Sequence, residues 1–334
     1  MRIAVDAMGG DNAPRAIIEG VIAYLKEEKK DREIILVGDE EVVKRELSLY
    51  SVDGLPISIE PSKEVIEMEE SPAKAIRTKK RSSIVIATNL VRDKKADALV
   101  SAGNTGAVMG ACFMSLGRLK GILRPAIATL LPTLRTPSVL LDVGANVDCK
   151  PQHLFQFAVM GSVYARYVLK KEKPKVGLLS IGEERTKGNG LVFSAHKLIE
   201  DSRLLNFIGN VEGRDIVNGK VDVIVCDGFV GNIVLKFGES FAEMIMHELK
   251  EEFSRNLLLK IGSFLVRSGF RRFRKRVDYS EYGGAPLLGI DGVCIICHGS
   301  SGALAIKNGV NVASEFVSNK VNVAIEEGLR LYGC

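Results

Sequence analysis

Short apolar runs recur along this chain, each ended by a glycine-rich polar stretch and followed by a segment of helical period. The central instance is residues 96–111, ADALVSAGNTGAVMGA. Residues 97–100 read as a buried strand, Gly103 and Gly106 permit backbone angles that side chains forbid, and Thr105 is placed to cap the next helix. Such a loop turns backbone N–H groups outward, and together with the positive end of a helix dipole it suits an anion such as phosphate. A glycine-rich strand-to-helix turn is also a common tight connection, and SAGNTG is neither the P-loop nor the dinucleotide fingerprint. Repetition favours the binding reading. DAMGGDNAP follows the strand-like residues 3–5, DVGANVD follows 139–141, SIGEERTKGNG follows 176–179, CDGFVGN follows 221–225 and CHGSSG follows 293–296. Loops leaving the carboxyl ends of parallel strands gather along one sheet edge, so six such loops are expected to converge on one site.

Between these loops the pattern alternates strand and helix. A strand over residues 2–5 leads to a helix opened by Pro14, with Ile18, Val21, Ile22 and Leu25 on its inner face. Strands over 34–37 and 57–60 flank a helix over 40–49. Ser71-Pro72 marks a helix start with Lys74 in its first turns, and another helix spans 83–92. Beyond the central loop come a strand over 124–133, a long amphipathic helix over 151–169, and helices after Gly190, Asn232, Ser300 and Ala313. This alternation predicts an α/β fold: a doubly wound, mostly parallel sheet covered on both faces, three-layer α/β/α. Residues 1–334 read as one α/β unit, and 250–282 as an amphipathic helical segment protruding from it.

Composition narrows the class. With 46% apolar residues in 334, the chain can bury a large core. Its start enters a strand with no basic n-region and apolar h-region, and no apolar run approaches a membrane span, so a cytoplasmic protein is expected. The six cysteines are scattered as in a reduced protein, and Cys294 and Cys297 form a lone CxxC inside an apolar strand, which reads as small core residues. The net charge of +5 is local: residues 250–276 carry nine Lys or Arg and two Glu, leaving −2 elsewhere. That distribution argues against a nucleic-acid partner and for an anionic surface or acidic partner at this one patch. In it Asn256, Lys260, Ser263 and Arg267 form a narrow polar stripe, while Leu258 and Leu265 belong to a broad apolar surface and Arg271 and Arg272 to a basic tail. Insertion into an anionic membrane surface is one reading; burial in the core or a dimer interface is the other.

The loops hold Asn104, Thr105, Asn146, Lys187, Asn189, Asn232, His298, Ser300 and Ser301 as candidate contacts to phosphate and carbonyl oxygens. Each has a plain alternative: Lys187 in an exposed ion-pair cluster, His298 as a packing residue, the two serines as a helix cap. No GxSxG elbow or HExxH is present, no cysteine has a convincing adjacent base, and the four histidines are too dispersed for a metal site. Asp6, Asp11, Asp142 and Asp227 sit at strand ends, where carboxylates commonly hold loops. This inventory suits a reaction that needs positioning more than a protein nucleophile. Phosphate attack on a thioester is one, since the dianion is itself nucleophilic and a thiolate leaves without strong acid help. Backbone amides, asparagines and a lysine can hold the phosphate and stabilise the oxyanion.

Seven blocks, VDAMGGDNAP (5–14), SAGNTGA (101–107), LDVGAN (141–146), LLSIGEERTKGN (178–189), GNVEGRDI (209–216), CDGFVGN (226–232) and YGGAPLLG (282–289), together resemble the bacterial acyl-acyl carrier protein:phosphate acyltransferases, the PlsX family. The resemblance covers nearly the whole chain. It implies transfer of a long-chain fatty acyl group from acyl carrier protein to inorganic phosphate, giving acyl phosphate for phospholipid synthesis. It further implies a fold like phosphotransacetylase and the isocitrate/isopropylmalate dehydrogenases, a homodimer, no metal and no cofactor. Its implied partners are acyl carrier protein, phosphate, an anionic membrane surface with loose peripheral association, and the membrane glycerol-3-phosphate acyltransferase. A short-chain phosphate acyltransferase using acyl-CoA, and a non-enzymatic membrane scaffold, are the rival readings. No settled residue roles come with the resemblance. On the chemistry above, Lys187, Asn189, Asn104, Asn232 and His298 are the catalytic candidates. Ser101, Gly103, Thr105, Gly106, Asn146, Gly188, Ser300 and Ser301 are the substrate-binding ones. Leu258, Leu265, Arg271 and Arg272 are the candidates for membrane or partner contact.

Overall fold

Alternation of side chains along the central strands decides the layers. In β1 (Arg2–Asp6), Ile3 and Val5 pack toward one face and Ala4 toward the other, all three essentially without exposure. The computed structural model describes residues 1–27, 32–203, 205–255, 259, 262, 268, 269 and 283–331. Leu258, Leu265, Arg271 and Arg272 lie outside them, as does most of the basic apolar segment.

Ten further strands are described: β2 (Glu33–Gly38), β3 (Ile57–Pro61), β4 (Ala98–Ser101), β5 (Ala126–Leu131), β6 (Ser138–Leu141), β7 (Lys175–Leu179), β8 (Asn206–Val211), β9 (Val223–Val225), β10 (Ala285–Leu288) and β11 (Cys294–Ile296). With β1 they form one sheet in the order β3-β2-β1-β4-β11-β10-β5-β6-β9-β7-β8. The helices are α1 (Arg15–Glu27), α2 (Glu40–Leu47), α3 (Pro72–Thr78), α4 (Ser83–Arg92), α5 (Thr105–Ser115), α6 (Pro151–Val168), α7 (Gly190–Ser202), α8 (Asp215–Asn218), α9 (Gly228–Ser254), α10 (Ala303–Ser318) and α11 (Val321–Leu331). Ile18, Val21, Ile22 and Leu25 of α1 are buried, with α10 beside them on one face of the first half-sheet, while α4 and α5 cover the other. In the second half α6, α7 and α11 cover one face. The fold is the expected α/β one, with layers of helices on a mostly parallel sheet.

The expectation that all six loops leave one edge is corrected by the strand directions. The strands β3, β2, β1, β4 and β11 run parallel to one another, as do β6, β9, β7 and β8. Between them β10 and β5 make three antiparallel pairings in succession, so the two parallel halves run in opposite senses. The stagger brings their carboxyl ends together. Ser101 pairs with Ile296 and Ile296 with Ala285; two residues on, Leu287 pairs with Ile127, and Thr129 pairs with Leu140. The last residue of β4 therefore lies in the same row as the next-to-last residue of β6. One set of loops leaves that row upward and the other downward.

Helix limits shift as well. The segment after Asn232 is not a helix start, because α9 already begins at Gly228 with Asp227 as its cap, and Ala313 lies inside α10. The motif YGGAPLLG contains β10, a strand that its sequence pattern does not announce.

Candidate active site

Three loops of the first half are tied to one another. Asp6, wholly buried at the end of β1, accepts a hydrogen bond from Ser101 Oγ at 2.7 Å, and the same hydroxyl accepts from Gly103 N at 3.1 Å. Burial pushes the Asp6 carboxyl above its ordinary value, opposed by donations from Ser101, Ser83 and the Met8 and Gly9 amides. Asp11 N donates to Gly299 O at 2.8 Å and Asn12 Nδ2 to Ser300 O at 3.0 Å, which locks the β1 loop to the β11 loop. Gly10 sits between them at φ +97°, where a β-carbon would meet Gly299 O at 2.8 Å.

The helix following SAGNTG is capped by Asn104, not by Thr105. Asn104 Oδ1 accepts from Ala107 N at 3.0 Å, while its Nδ2 faces the carbonyls of Glu67, Met68 and Glu70 at 3.3, 2.8 and 3.1 Å. Both ends of that amide are engaged within the protein. Thr105 is the exposed first residue of α5, and Gly106 makes room for the Pro72 ring of α3. At the β11 end, α10 begins at Ala303 with Gly302 as cap, so neither Ser300 nor Ser301 caps it. Ser301 is buried, whereas Ser300 and His298 are exposed.

The second half presents a matching set. Asp142, buried at the end of β6, receives Ile127, Gly144 and Ala145 amides on Oδ1 at 3.1, 3.3 and 3.0 Å. Its Oδ2 receives Asn146 N at 2.7 Å and Asn146 Nδ2 at 2.9 Å. Asn146 Nδ2 also donates to Pro125 O at 2.7 Å, and the Asn146 carbonyl accepts from Gly228 N at 2.8 Å, which seats the start of α9. Asn189 caps α7 through Val192 N at 3.0 Å, and Gly188 before it adopts φ +123°. Lys187 is exposed on the same loop, while its neighbours Arg185 and Glu183 are engaged by Glu200 and by Arg214 and Lys220. The thiols nearby are poor nucleophiles: burial first, then the Asp142 and Asp227 charges, push Cys149 up to about 12, and burial holds Cys226 well above its usual range.

Helix α9 joins the two sets. Asn232, in its second turn, lies against the β6 loop, about 3.7 Å from where a β-carbon on Gly144 would stand. One turn later Lys236 Nζ lies 3.0 Å from Nε2 of His298, whose Nδ1 lies 2.8 Å from Ser300 Oγ. Residues four apart share a helix face, so Asn232 and Lys236 present an amide and an ammonium side by side between the two loop sets. Lys236 is the functional candidate that the sequence pattern does not mark. Beside the start of α9 a cavity of about 330 Å³ opens, lined by Leu154, Leu178, Leu191, Val192 and Val230 among others, with Gly188, Asn189 and Asp227 at its rim. The described residues here thus combine fixed backbone amides, Lys236 against His298 and an adjoining apolar hollow, with Lys187 exposed on the loop beside it, and none of them is an activated side-chain nucleophile.

A family model described as "Fatty acid synthesis protein" matches residues 1–324. A protein named "Phosphate acyltransferase" from Pelotomaculum thermopropionicum is 56% identical over 321 residues, covering 96% of this chain and 93% of the relative. One of the same name from Halothermothrix orenii is 50% identical over 334 residues, covering 100% of both. Among solved structures, a phosphotransacetylase from Streptococcus pyogenes superposes with a TM-score of 0.63 at 17% identity, covering 95% of this chain and 94% of the other. A branched-chain phosphotransacylase from Enterococcus faecalis does so with 0.60 at 14% identity, covering 95% and 99%. These two show a shared fold.

Proposed function

The chain belongs to the fatty acid synthesis protein family, relatives of which are named phosphate acyltransferase, and we propose that it moves a long-chain acyl group from acyl carrier protein to inorganic phosphate. The observation that carries this reading is α9 holding Asn232 and Lys236 between two sets of fixed loops, with His298 against Lys236. Phosphate binds by Lys236, His298, Ser300 and the loop amides of the first half. A phosphate oxygen attacks the thioester carbon, the new C–O bond forming as the carbonyl pair moves onto oxygen; the tetrahedral oxyanion then collapses, the C–S bond breaks, and the thiolate leaves and takes a proton from solvent. Lys187 and Asn232 face the carbonyl oxygen as it becomes an oxyanion. Asn104, Asn146 and Asn189, each hydrogen-bonded within the protein, act by fixing the loops; Ser101, Gly103, Thr105, Gly106 and Ser301 shape the backbone around the bound phosphate, and Gly188 shapes the loop that carries Lys187.

Donor identity follows the resemblance and the apolar hollow beside the site. Equal concentrations of palmitoyl-acyl carrier protein, palmitoyl-CoA and acetyl-CoA, each with phosphate, separate the readings. Preference for the carrier-protein thioester by kcat/KM supports the proposal, and preference for acetyl-CoA rejects it in favour of a short-chain enzyme.

The remaining partners are proposals of the same standing. No helix among the described residues is long and apolar enough to cross a membrane, so the association proposed is peripheral, through the basic apolar segment, with the membrane glycerol-3-phosphate acyltransferase receiving the acyl phosphate. A homodimer is proposed. In its support, α9 exposes Phe229, Ile233, Phe237 and Phe241, with the rings of Phe237 and Phe241 stacked at 5.8 Å.

A further inference from the structure

We propose that the cavity beside the start of α9 receives the distal part of the donor's acyl chain and sets the chain length the enzyme prefers; this rests on the acyl-transfer reading above. Its inner wall is Leu154 and Leu178, both buried, and its sides are Leu191, Val192 and Val230. The remaining lining includes Ser180, Cys226 and, on the loop of Lys187 and at the cap of α9, Gly188, Asn189 and Asp227.

Size and position fit a hydrocarbon tail. A cavity of about 150 Å³ lined by apolar side chains holds a six-carbon ring, so one of about 330 Å³ has room for roughly 12 carbons. Val230 lines the cavity, and Lys236, six residues further along α9, touches His298. At a rise of about 1.5 Å per residue these two points are about 9 Å apart along the helix, the space left for the carbons between tail and thioester. The cavity thus reaches the loop of Lys187 at Gly188 and Asn189, and its buried end carries Leu154 and Leu178. A phosphate or a carrier-protein acid has nothing to bind at such an end, whereas a methyl-terminated chain does.

The chain contains no tryptophan, so a single inserted one reports on this place alone. Leu191→Trp narrows the cavity and Leu191→Ala widens it. The readout is the ratio of kcat/KM for sixteen-carbon over eight-carbon acyl-carrier-protein donors. Because each methylene of fit in an apolar pocket is worth roughly 10- to 200-fold, Leu191→Trp should lower that ratio by about a hundredfold and Leu191→Ala should raise it. In parallel, the fluorescence of Leu191→Trp is titrated with a brominated long-chain fatty acid, which should quench it saturably. An unchanged ratio in both variants, or a fall equal for both chain lengths, overturns the proposal, as does absence of quenching. Should wild type show no phosphate-dependent turnover, the acyl-transfer reading fails on its own, and the quenching titration still decides whether the cavity takes an alkyl chain.

Discussion

Replacing Lys236 by methionine tests the bridge between the two loop sets. The side chain is 51% exposed and its ion pair with Glu239 spans 3.1 Å on the helix surface, an interaction worth at most about 0.5 kcal/mol. Methionine keeps helix propensity and length, so the loss of stability should stay below about 1 kcal/mol, a fall in Tm of no more than about 4 °C. Catalysis should respond on another scale. Removing one preorganised charge from a group that stabilises the transition state costs a factor of 10² to 10³, about 2.7–4 kcal/mol. Assayed as phosphate-dependent release of carrier-protein thiol, Lys236→Met should therefore lose at least about 100-fold in kcat/KM. Lys236→Arg, which restores charge but as a planar fork in place of the compact ammonium that meets His298, should recover only part. His298→Gln should cost a similar amount. Because the two side chains touch, the double variant should lose little more than either single one. Wild-type kinetics in Lys236→Met, or fully additive losses in the double variant, would refute the reasoning.

Lys187→Ala should lower kcat/KM by roughly 100-fold while leaving Tm nearly fixed, as expected for an exposed side chain that meets the substrate only in the transition state; unchanged kinetics would remove Lys187 from the site. His153 concerns stability. Burial, then the charges of Arg124 and Lys150, hold its pKa below the ordinary value, and its Nδ1 accepts the Lys150 amide at 3.1 Å. A lowered folded pKa means the unfolded chain takes up the proton first. The stabilisation is thus full above about pH 6.5 and is lost as the pH falls below it. Denaturant midpoints at pH 7.5 and 5.5 should differ more for wild type than for His153→Gln, and equal differences would contradict this. At the membrane, Leu258→Glu/Leu265→Glu and Arg271→Glu/Arg272→Glu variants should each abolish co-sedimentation with anionic vesicles while keeping the wild-type oligomeric state; a charge variant that still sediments rejects the peripheral reading.

Much of the scaffold is readable from local pattern because local physics sets it. The limits of α4 follow from its apolar periodicity, and Ser71-Pro72 does open α3. Strand direction is another matter. β10 and β5 are as apolar as their parallel neighbours, and nothing within four or six residues encodes whether a strand pairs parallel or antiparallel; distant partners decide it. The reversal of the second half-sheet, and with it the division of the six loops into two sets, is invisible to a reading strand by strand. Asn104 was within reach, since asparagine is a preferred cap and the residue after it carries the helix. That its amide is also consumed by three carbonyls of a distant loop needed the fold. Lys236 gave no local sign: its histidine lies 62 residues away, and a lysine on a long exposed helix is ordinarily a solvated one.

The central claim is that this cleft joins an acyl group to phosphate, and the product itself is the most direct witness. Purified protein is incubated with palmitoyl-acyl carrier protein and phosphate, and acyl phosphate is followed by phosphorus NMR and trapped with hydroxylamine as the hydroxamate. Acyl phosphate should form in step with free carrier-protein thiol, only when phosphate is present, and with Lys236→Met slowed at least about 100-fold. Thiol release without phosphate, free fatty acid in place of acyl phosphate, or an untouched thioester would contradict the account.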